Sequence, residues 1–303
     1  MQFVNDQYRI QGIAATDISR EFGTPLYVYD ADVIVRQINN LRDAFAGMPL
    51  RIKFACKALS NVSVLKLMQT QGIGIDAVSV AEARLALAAG FRPGDITFTS
   101  NGVDFAEIAE AVELGLSINL DNLPMLEKFG AAYGGSVPCC IRLKPGIRAG
   151  GNAKIQVGHS RSKFGVPLAM LPELQNLIEK YRLDINGLHI HSGSDILDAD
   201  AFTQGAEVLF GVAKNFPDLR FIDFGGGFKV AYRQGDKTTD MPALGQKLSA
   251  AFRAFCDEYG RELEMWFEPG KYLVSEAGVL LVTANQVKPT PDVTFVQVNS
   301  GLN

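Results

Sequence analysis

The sequence predicts an α/β protein built as a (β/α)8 TIM-type barrel, followed by an all-β C-terminal domain that is only partly present. Between residues 30 and 275, apolar runs rich in β-branched residues alternate with helical patterns, giving eight runs in all. Each run ends in a polar residue or a glycine, and the helical patterns stop after residue 275. The 303 residues suffice for one large domain or two smaller ones.

Residues 1–29 form an N-terminal segment. They contain an apolar alternation at 8–13, a polar helix-like piece and a strand at 26–29. We expect this segment to pair partly with the C-terminal β domain, with 8–13 as one candidate strand, because isolated short strands are unstable. Asp30 is a suitable cap for a helix over 32–45.

The barrel is predicted over residues 30–275. Its strands are expected at 50–57, 74–79, 95–101, 117–121, 137–145, 185–193, 220–227 and 264–270. Helices are expected between them at 62–70, 81–89, 105–113, 124–133, 168–181, 200–215 and 241–259. Strands that are apolar throughout are typical of a parallel sheet covered by helices. A doubly wound sheet is the alternative, but G-G-G-F-K-V at 225–230 does not fit the nucleotide fingerprint G-x-G-x-x-G.

From residue 276 the chain is interpreted as the start of a C-terminal β domain. Val274 and the runs 279–283, 286–288 and 293–298 are strand-like and have no helical pattern between them. Two or three strands are too few to form a stable sheet alone, so we interpret 276–303 as a truncated domain.

Charge and composition exclude two classes of partner. A net charge of −4 gives no general attraction to nucleic acid or to an anionic membrane. The sequence has neither a signal-peptide pattern nor an apolar run of membrane-spanning length. Its four cysteines lack C-x-x-C spacing, so we expect reduced thiols and a cytoplasmic protein.

The first candidate catalytic residue is Lys57. Active sites of such barrels lie at the carboxyl ends of the strands, and the first strand is predicted to end at this lysine. Its neighbours Cys56 and Ala58 are small, and a lysine in such a place can be desolvated and become a usable amine. We interpret Lys57 as a Schiff-base lysine. An ordinary surface lysine is the alternative.

Glycine and basic residues follow strands seven and eight, where barrels commonly bind phosphate. Gly225, Gly226 and Gly227 allow backbone N–H groups to approach an anion, and Lys271 adds a positive charge, although a tight turn also explains the glycines. Glu268 would repel a phosphate unless the same ligand carries a basic nitrogen that an ionised glutamate keeps protonated. Pyridoxal 5'-phosphate (PLP) has this nitrogen, a phosphate and an aldehyde for a lysine. A simple ion pair of Glu268 is the alternative.

Two histidines end the sixth strand in an H-x-H pattern. His189 and His191 face the same side, an arrangement that also binds metals. The chain has three histidines and no evident acidic cluster to complete a ligand set, so we predict no metal. A flat imidazole at His191 suits the face of a pyridine ring, whereas His189 is expected in the core. Ser192 and Ser194 offer hydroxyls to a phosphate.

Further polar residues are expected near the mouth of the barrel. Arg142 ends strand five and adds a cation, and Asp76 ends strand two and can orient another polar group. A solvated arginine and a turn-forming aspartate explain them equally well. The glycine-rich segment 148–152 is a candidate lid.

Six motifs together carry a family resemblance. They are F-G-T-P-L-Y-V-Y at 22–29, F-A-C-K-A at 54–58, S-K-F-G at 162–165, H-I-H-S-G-S at 189–194, D-F-G-G-G at 223–227 and E-P-G at 268–270. This series resembles the PLP-dependent, alanine-racemase-like decarboxylases of fold type III, most closely those acting on meso-2,6-diaminopimelate. The resemblance covers the whole chain and implies decarboxylation to L-lysine and CO2 in lysine biosynthesis. The alternatives are a polyamine-pathway decarboxylase for ornithine, arginine or carboxynorspermidine, and a non-catalytic PLP-binding homologue.

The resemblance also implies roles for individual residues. Lys57 would hold the cofactor, His191 would stack on its ring, and Glu268 would bind its pyridine nitrogen. The other cofactor-binding residues implied are Asp76 beside the lysine, Arg142 near the phenolic oxygen, Ser194, Gly225, Gly226 and Gly227 at the phosphate, and Pro269, Gly270 and Lys271 of the last motif. That motif usually ends in arginine, so Lys271 would bind phosphate or the substrate carboxylate without a forked guanidinium.

In this family, a cysteine with acidic neighbours and the residues that recognise the substrate lie in the β domain, here beyond residue 303. The cysteine reaches the site of the partner subunit. The resemblance therefore implies a homodimer with shared active sites and a small amino-acid substrate. We expect an obligate homodimer if the chain is a fragment, and a poorly folded or inactive product if it ends at residue 303.

Overall fold

The computed structural model describes residues 1–146 and 162–301, so the candidate lid at 148–152 lies outside the described residues. The strands are β1 (Gln2–Val4), β2 (Gln7–Ile10), β3 (Ile13–Ala14), β4 (Leu26–Tyr29), β5 (Leu50–Ala55), β6 (Gly74–Ala77), β7 (Ile96–Thr99), β8 (Ser117–Leu120), β9 (Cys139–Lys144), β10 (Val166–Pro167), β11 (Ile185–His189), β12 (Phe221–Asp223), β13 (Glu264–Phe267), β14 (Gly278–Leu281), β15 (Ala284–Pro289) and β16 (Thr294–Val298). The α-helices are α1 (Ala15–Phe22), α2 (Ala31–Ala44), α3 (Val62–Thr70), α4 (Val80–Ala88), α5 (Phe105–Glu113), α6 (Leu123–Tyr133), α7 (Leu171–Tyr181), α8 (Ala199–Ala213), α9 (Met241–Tyr259) and α10 (Lys271–Val274).

Eight parallel strands close into a barrel. Strands β5, β6, β7, β8, β9, β11, β12 and β13 pair in that order, and β13 pairs with β5 to complete the circle. At this seam Met265 lies opposite Leu50 and Phe267 lies opposite Ile52. The predicted (β/α)8 barrel is confirmed, and the first and last strands of the barrel become neighbours.

Side chains of the barrel strands alternate between two environments. On β7, Ile96 and Phe98 belong to the large apolar core between the sheet and the helices. Thr97 and Thr99 on the same strand are buried too, but they point into the barrel. A separate small apolar cluster of Cys140, Phe221 and Trp266 lies inside the barrel, with the last two rings stacked 3.6 Å apart. Apart from this cluster, much of the described interior is polar.

The helices begin at capping residues that follow the strand ends. Asp30 accepts a hydrogen bond from Asp32 N–H at the start of α2, and Asp104 accepts one from Ala106 N–H at the start of α5. The cap predicted at Asp30 is confirmed. Asn61, Ser79, Asn122, Asp198 and Asp240 cap other helices in the same way.

Two helices pack closely beside the seam of the barrel. Helix α2 leads into β5 and helix α9 leads into β13, and Gly245 of α9 lies against the backbone of Ala44. A Cβ at Gly245 would lie 1.9 Å from the carbonyl oxygen of Ala44, so only glycine allows this approach. The contact helps to hold together the two strands that precede Lys57 and Glu268.

The terminal segments differ from the sequence prediction in two places. Strand β4 pairs antiparallel with β14. Residues 8–13 had been expected to pair with the C-terminal strands, but β2 pairs with β1 and β3 instead. Val274 lies in α10 and not in a strand. The hairpin of β15 and β16 follows the barrel. The domain boundaries after residues 29 and 275 remain predictions. Among the described helices, none has the length and apolarity needed to cross a bilayer.

Candidate active site

A cavity of about 660 Å³ opens at the carboxyl ends of the barrel strands. Its lining includes nine residues singled out from the sequence: Lys57, Asp76, Arg142, His191, Ser194, Gly227, Glu268, Gly270 and Lys271. Gly225, Gly226 and Pro269 belong to the same loops but do not line it. Two larger clefts, of about 940 and 860 Å³, contain none of these twelve residues. The predicted site residues therefore converge at one rim, and their roles remain predictions.

Lys57 lies in a 3-10 turn, Cys56–Ala58, that follows β5. The strand ends at Ala55, two residues before the predicted end, and the turn directs the lysine into the cavity. The side chain is 58% exposed, so the desolvation expected from its small neighbours is wrong for this structure. Its Nζ lies 3.9 Å from Oδ2 of Asp76, which holds the amine near the wall of the cavity.

Asp76 is a buried carboxyl group beside this amine. It is the third residue of β6 and is 1% exposed. Burial, and then the charge of Glu268, raise the pKa of Asp76 to about 7, while Lys57 opposes the shift. Its Oδ1 has no hydrogen-bond partner among the described residues. Asp76 can therefore change protonation state close to neutral pH.

Glu268 follows β13 and is buried on the other side of the seam. Its Oε2 lies 3.2 Å from Nε2 of His189. Burial alone would raise the pKa of Glu268, but His189, Lys57 and Arg142 outweigh it and hold the pKa below its usual value. The other oxygen, Oε1, is buried and has no partner within residues 1–146 and 162–301. Glu268 is thus an ionised carboxylate with one oxygen free to accept a hydrogen bond.

The glycine turn after β12 is wedged between neighbouring loops. A Cβ on Gly226 would lie 2.4 Å from the carbonyl oxygen of Glu268, and one on Gly227 would lie 2.1 Å from that of Gly193. The N–H of Gly225 donates to Asp223 Oδ1 and that of Gly226 donates to His191 Nδ1. Of these three glycine N–H groups, only that of Gly227 has no hydrogen-bond partner in the described parts of the chain. Close packing accounts for the glycines, and phosphate binding by this turn remains a prediction.

The two histidines at the end of β11, His189 and His191, have different surroundings. His191 borders the cavity, and burial, then the charges of Arg142 and Lys57, lower its pKa well below the usual value, so its ring is neutral. His189 is 1% exposed and contacts Asn119, as expected for a core histidine.

The sequence shows no evident acidic cluster to complete a metal-ligand set, but the structure brings two carboxyl groups to His189. Donor atoms of His189, Asp223 and Glu268 all lie within 4.8 Å of one another. Burial, then the charge of Glu268, raise the pKa of Asp223 well above its usual range. A metal ligand must be deprotonated, which a raised pKa disfavours for Asp223, and the absence of a metal stays a prediction.

The remaining predicted cations have partners of their own. Arg142 lies within β9 and not at its end, and its guanidinium carbon is 4.7 Å from the centre of the Phe164 ring. Lys271 Nζ donates to Asp195 Oδ1 at 2.9 Å. To bind a phosphate or a substrate carboxylate, Lys271 would have to leave or share this carboxylate.

Several residues of the site were not predicted from the sequence. Thr99, Asn101, Phe228 and Tyr272 line the cavity, and Asn119 and Asp223 lie just beneath it. Deeper still, Lys53 is 3% exposed and lies over the Trp266 ring, 4.0 Å from its centre. The sequence does contain a signal for the polar residues among them. The runs 95–101 and 117–121 carry polar residues at alternate positions between apolar ones, which indicates a polar face on each strand.

The residues present fit PLP. An exposed amine at Lys57 can reach an aldehyde, and the partnerless Oε1 of Glu268 can accept from a protonated ring nitrogen. The cavity of about 660 Å³ lies between these two groups and is also bordered by Ser194 and Gly227. The donor set, the orphaned oxygen and the size of the cavity are therefore compatible with this cofactor.

Comparisons with known proteins agree on one family. The profile described as "Pyridoxal-dependent decarboxylase, pyridoxal binding domain" matches residues 31–275. The diaminopimelate decarboxylase of Methanothermobacter thermautotrophicus is 34% identical, covering 99% of this chain and 72% of the relative. That of Escherichia coli K12 is 33% identical, covering 93% and 67%. The solved Helicobacter pylori diaminopimelate decarboxylase in complex with L-lysine is 31% identical, covers 94% of this chain and 73% of its own, and has a TM-score of 0.84.

Replacing Asp76 by asparagine should change how stability depends on pH. Between about pH 4 and pH 7 the folded protein keeps a proton on Asp76 that the unfolded chain has released, so wild-type stability falls as pH rises through this window. The D76N protein lacks this term. The difference in free energy of unfolding between D76N and wild type should therefore change by at least about 1 kcal/mol in favour of D76N as the pH rises from 4.5 to 7.5. Urea denaturation of the protein freed of PLP measures the gain. Asp218→Asn, at a 76% exposed side chain, is the control, and parallel curves for wild type and D76N would contradict the prediction.

Proposed function

The chain belongs to the pyridoxal-dependent decarboxylase family, and from that premise we propose that it converts meso-2,6-diaminopimelate to L-lysine and CO2 with PLP as cofactor. One observation carries the proposal most strongly. The amine of Lys57 and the ionised carboxylate of Glu268 border the same cavity, on strands that meet at the seam of the barrel. The choice of substrate is supported by relatives that are diaminopimelate decarboxylases, one of which binds L-lysine.

When bound, PLP supplies an aldehyde that takes up amines and an electron-poor ring that accepts the electron pair left by departing CO2. Lys57 would hold the aldehyde in the absence of substrate. Glu268 would keep a proton on the ring nitrogen, which requires the carboxylate to be ionised, as its lowered pKa supports. His191, neutral because of its burial, would lie flat against the ring without adding a competing positive charge.

The other proposed contacts concern the anionic end of the cofactor. Ser194 and Gly227 border the cavity, and the N–H of Gly227 has no other partner among the described residues, so these two are the best supported phosphate ligands. The remaining proposed contacts are Gly225, Gly226, Pro269, Gly270 and Lys271 around the phosphate and Arg142 near the ring. Asp76, 3.9 Å from the amine, would orient Lys57.

Removing the amine of Lys57 tests the assignment directly. Lys57→Ala should abolish the visible absorbance of the lysine-linked cofactor and lower turnover by at least about a thousand-fold, because a covalent catalytic group is lost. Lys66→Ala, at an exposed lysine of α3, is the control and should keep both. Absorbance spectra and CO2 release are measured on the same preparations. A Lys57→Ala protein that keeps both properties would end this assignment.

The substrate is tested by CO2 release from four amino acids. With PLP supplied, the complete gene product should decarboxylate diaminopimelate in clear preference to ornithine, arginine and carboxynorspermidine. A preference for one of the other three would move the protein to the polyamine pathway. Cofactor bound to Lys57 without CO2 release from any of the four would identify a non-catalytic PLP-binding protein.

We also propose that the complete protein is a homodimer with shared active sites. The support is the resemblance to decarboxylases in which the partner subunit completes the site. Light scattering of the complete gene product should give twice the mass of its chain, and dilution below the dimer dissociation constant should lower CO2 release in parallel with the dimer fraction. A fully active monomer would contradict the proposal.

A further inference from the structure

Four buried polar side chains form a line across the barrel at the floor of the cavity. Thr99 of β7, Asn119 of β8 and His189 of β11 lie between the far wall and Glu268. Asn119 Nδ2 is 3.3 Å from Thr99 Oγ1 and 2.9 Å from His189 Nδ1, and His189 Nε2 is 3.2 Å from Glu268 Oε2. Each of the four side chains is at most 8% exposed. None of the first three has a role in the function proposed above.

The contact with Asn119 determines which nitrogen of His189 carries the proton. An amide nitrogen can only donate, so Nδ1 of His189 must be the acceptor in this arrangement. Burial of the ring lowers the pKa of His189, and a neutral ring carries a single proton. That proton is then on Nε2, which lies 3.2 Å from Oε2 of Glu268 but makes no well-aligned hydrogen bond with any described residue.

This tautomer matters because the surroundings of Glu268 contain several other charged or titratable groups. Asp223 lies beside it and Asp76 faces it from β6, while Lys57, Arg142 and the deeper Lys53 supply positive charge. A donor at Nε2 stabilises the ionised carboxylate at close range, whereas a lone pair at the same place would repel it. The contact also engages Oε2, which leaves Oε1 as the oxygen without a partner in the described residues.

We propose that His189 is a positioning residue: with Nδ1 held by Asn119, it points its Nε2–H towards Oε2 of Glu268, 3.2 Å away, and leaves Oε1 of that carboxylate to accept a further hydrogen bond. The consequence for the cofactor nitrogen rests on the function proposed above. The tautomer and its dependence on Asn119 do not, since they are properties of the protein alone.

The tautomer is measured on the wild-type protein, and a variant is used only to assign the signals. The complete protein is labelled with ¹⁵N-histidine and studied by NMR as purified and after addition of PLP. The chain has only three histidines, so His189 is identified by the signals missing from His189→Gln. We expect a neutral ring protonated at Nε2 at neutral pH. A proton on Nδ1, or a doubly protonated ring, overturns the proposal.

Two substitutions at Asn119 test the dependence on the amide. Asn119→Asp replaces the donor by an acceptor and should move the His189 proton to Nδ1, and Asn119→Leu should leave the tautomer unfixed. Both should lower kcat for diaminopimelate by about ten-fold or more with little change in KM, as expected when a residue that orients a catalytic group is lost. With ¹⁵N-labelled PLP, the ring nitrogen should lose proton occupancy in both variants.

Matched variants separate positioning from a general disturbance of the barrel. Asn186→Leu makes the same change at a partly buried asparagine at the opposite end of β11, and should alter neither the His189 tautomer nor the protonation of the cofactor nitrogen. His189→Gln keeps an amide that can donate to Glu268, so it should retain more of kcat than His189→Phe. Equal losses in these two variants, or equal losses in Asn119→Leu and Asn186→Leu, overturn the proposal.

The results also separate this inference from the function on which part of it rests. If wild-type protein releases no CO2 but His189 is protonated at Nε2 and responds to Asn119→Asp, the function is wrong and the arrangement of His189 stands. If wild-type protein decarboxylates diaminopimelate with His189 protonated at Nδ1, the function stands and the positioning role is wrong.

Discussion

The structure depends on how three carboxyl groups are accommodated inside the barrel. Asp76, Asp223 and Glu268 are each at most 8% exposed, and burying unpaired negative charges so close together is very unfavourable. The interior meets this constraint with buried Lys53 and Arg142, with a neutral histidine and with a raised pKa at Asp223. Burial lowers the pKa of Lys53 only to about 8, because Asp223, Glu268 and Asp76 favour its charged form. The charge state of each of these buried groups therefore depends on the other carboxyl groups and on the buried cations.

The sequence was sufficient to predict the order and the position of the barrel elements. Hydrophobic runs and caps are local signals, and helices α3, α5 and α9 begin and end where the pattern predicted. The errors arose where distant contacts decide the local structure. Strand-like Val274 joins a four-residue helix packed against α2, and β2 finds its partners in its own neighbourhood. Neither choice of partner is encoded in the segment itself.

The site was only partly predictable, for a related reason. Lys57, His191 and Glu268 follow strands, and the geometry of a barrel brings all strand ends to one rim, so motifs far apart in sequence could be combined. Asn119, Asp223 and Lys53 lie within strands, where a polar residue can face either the interior or a helix. Their significance comes from contacts across the barrel between residues 70 positions apart, as for Asn119 and His189. A single sequence contains no record of such pairs.

The protonation states of the interior restrict how any ligand can lie in the cavity. The ionised Glu268 and the exposed amine of Lys57 border it from adjacent strands, while the pKa of Asp223 is raised and that of Asp76 is about 7. A ligand between them gains most by presenting a protonated nitrogen to Glu268 and an electrophilic carbon to Lys57. Arg142, Lys163 and Lys271 add positive charge around the same space, which favours anionic groups on the rest of the ligand. The charge pattern thus favours one orientation of a ring that carries a basic nitrogen, an aldehyde and a phosphate.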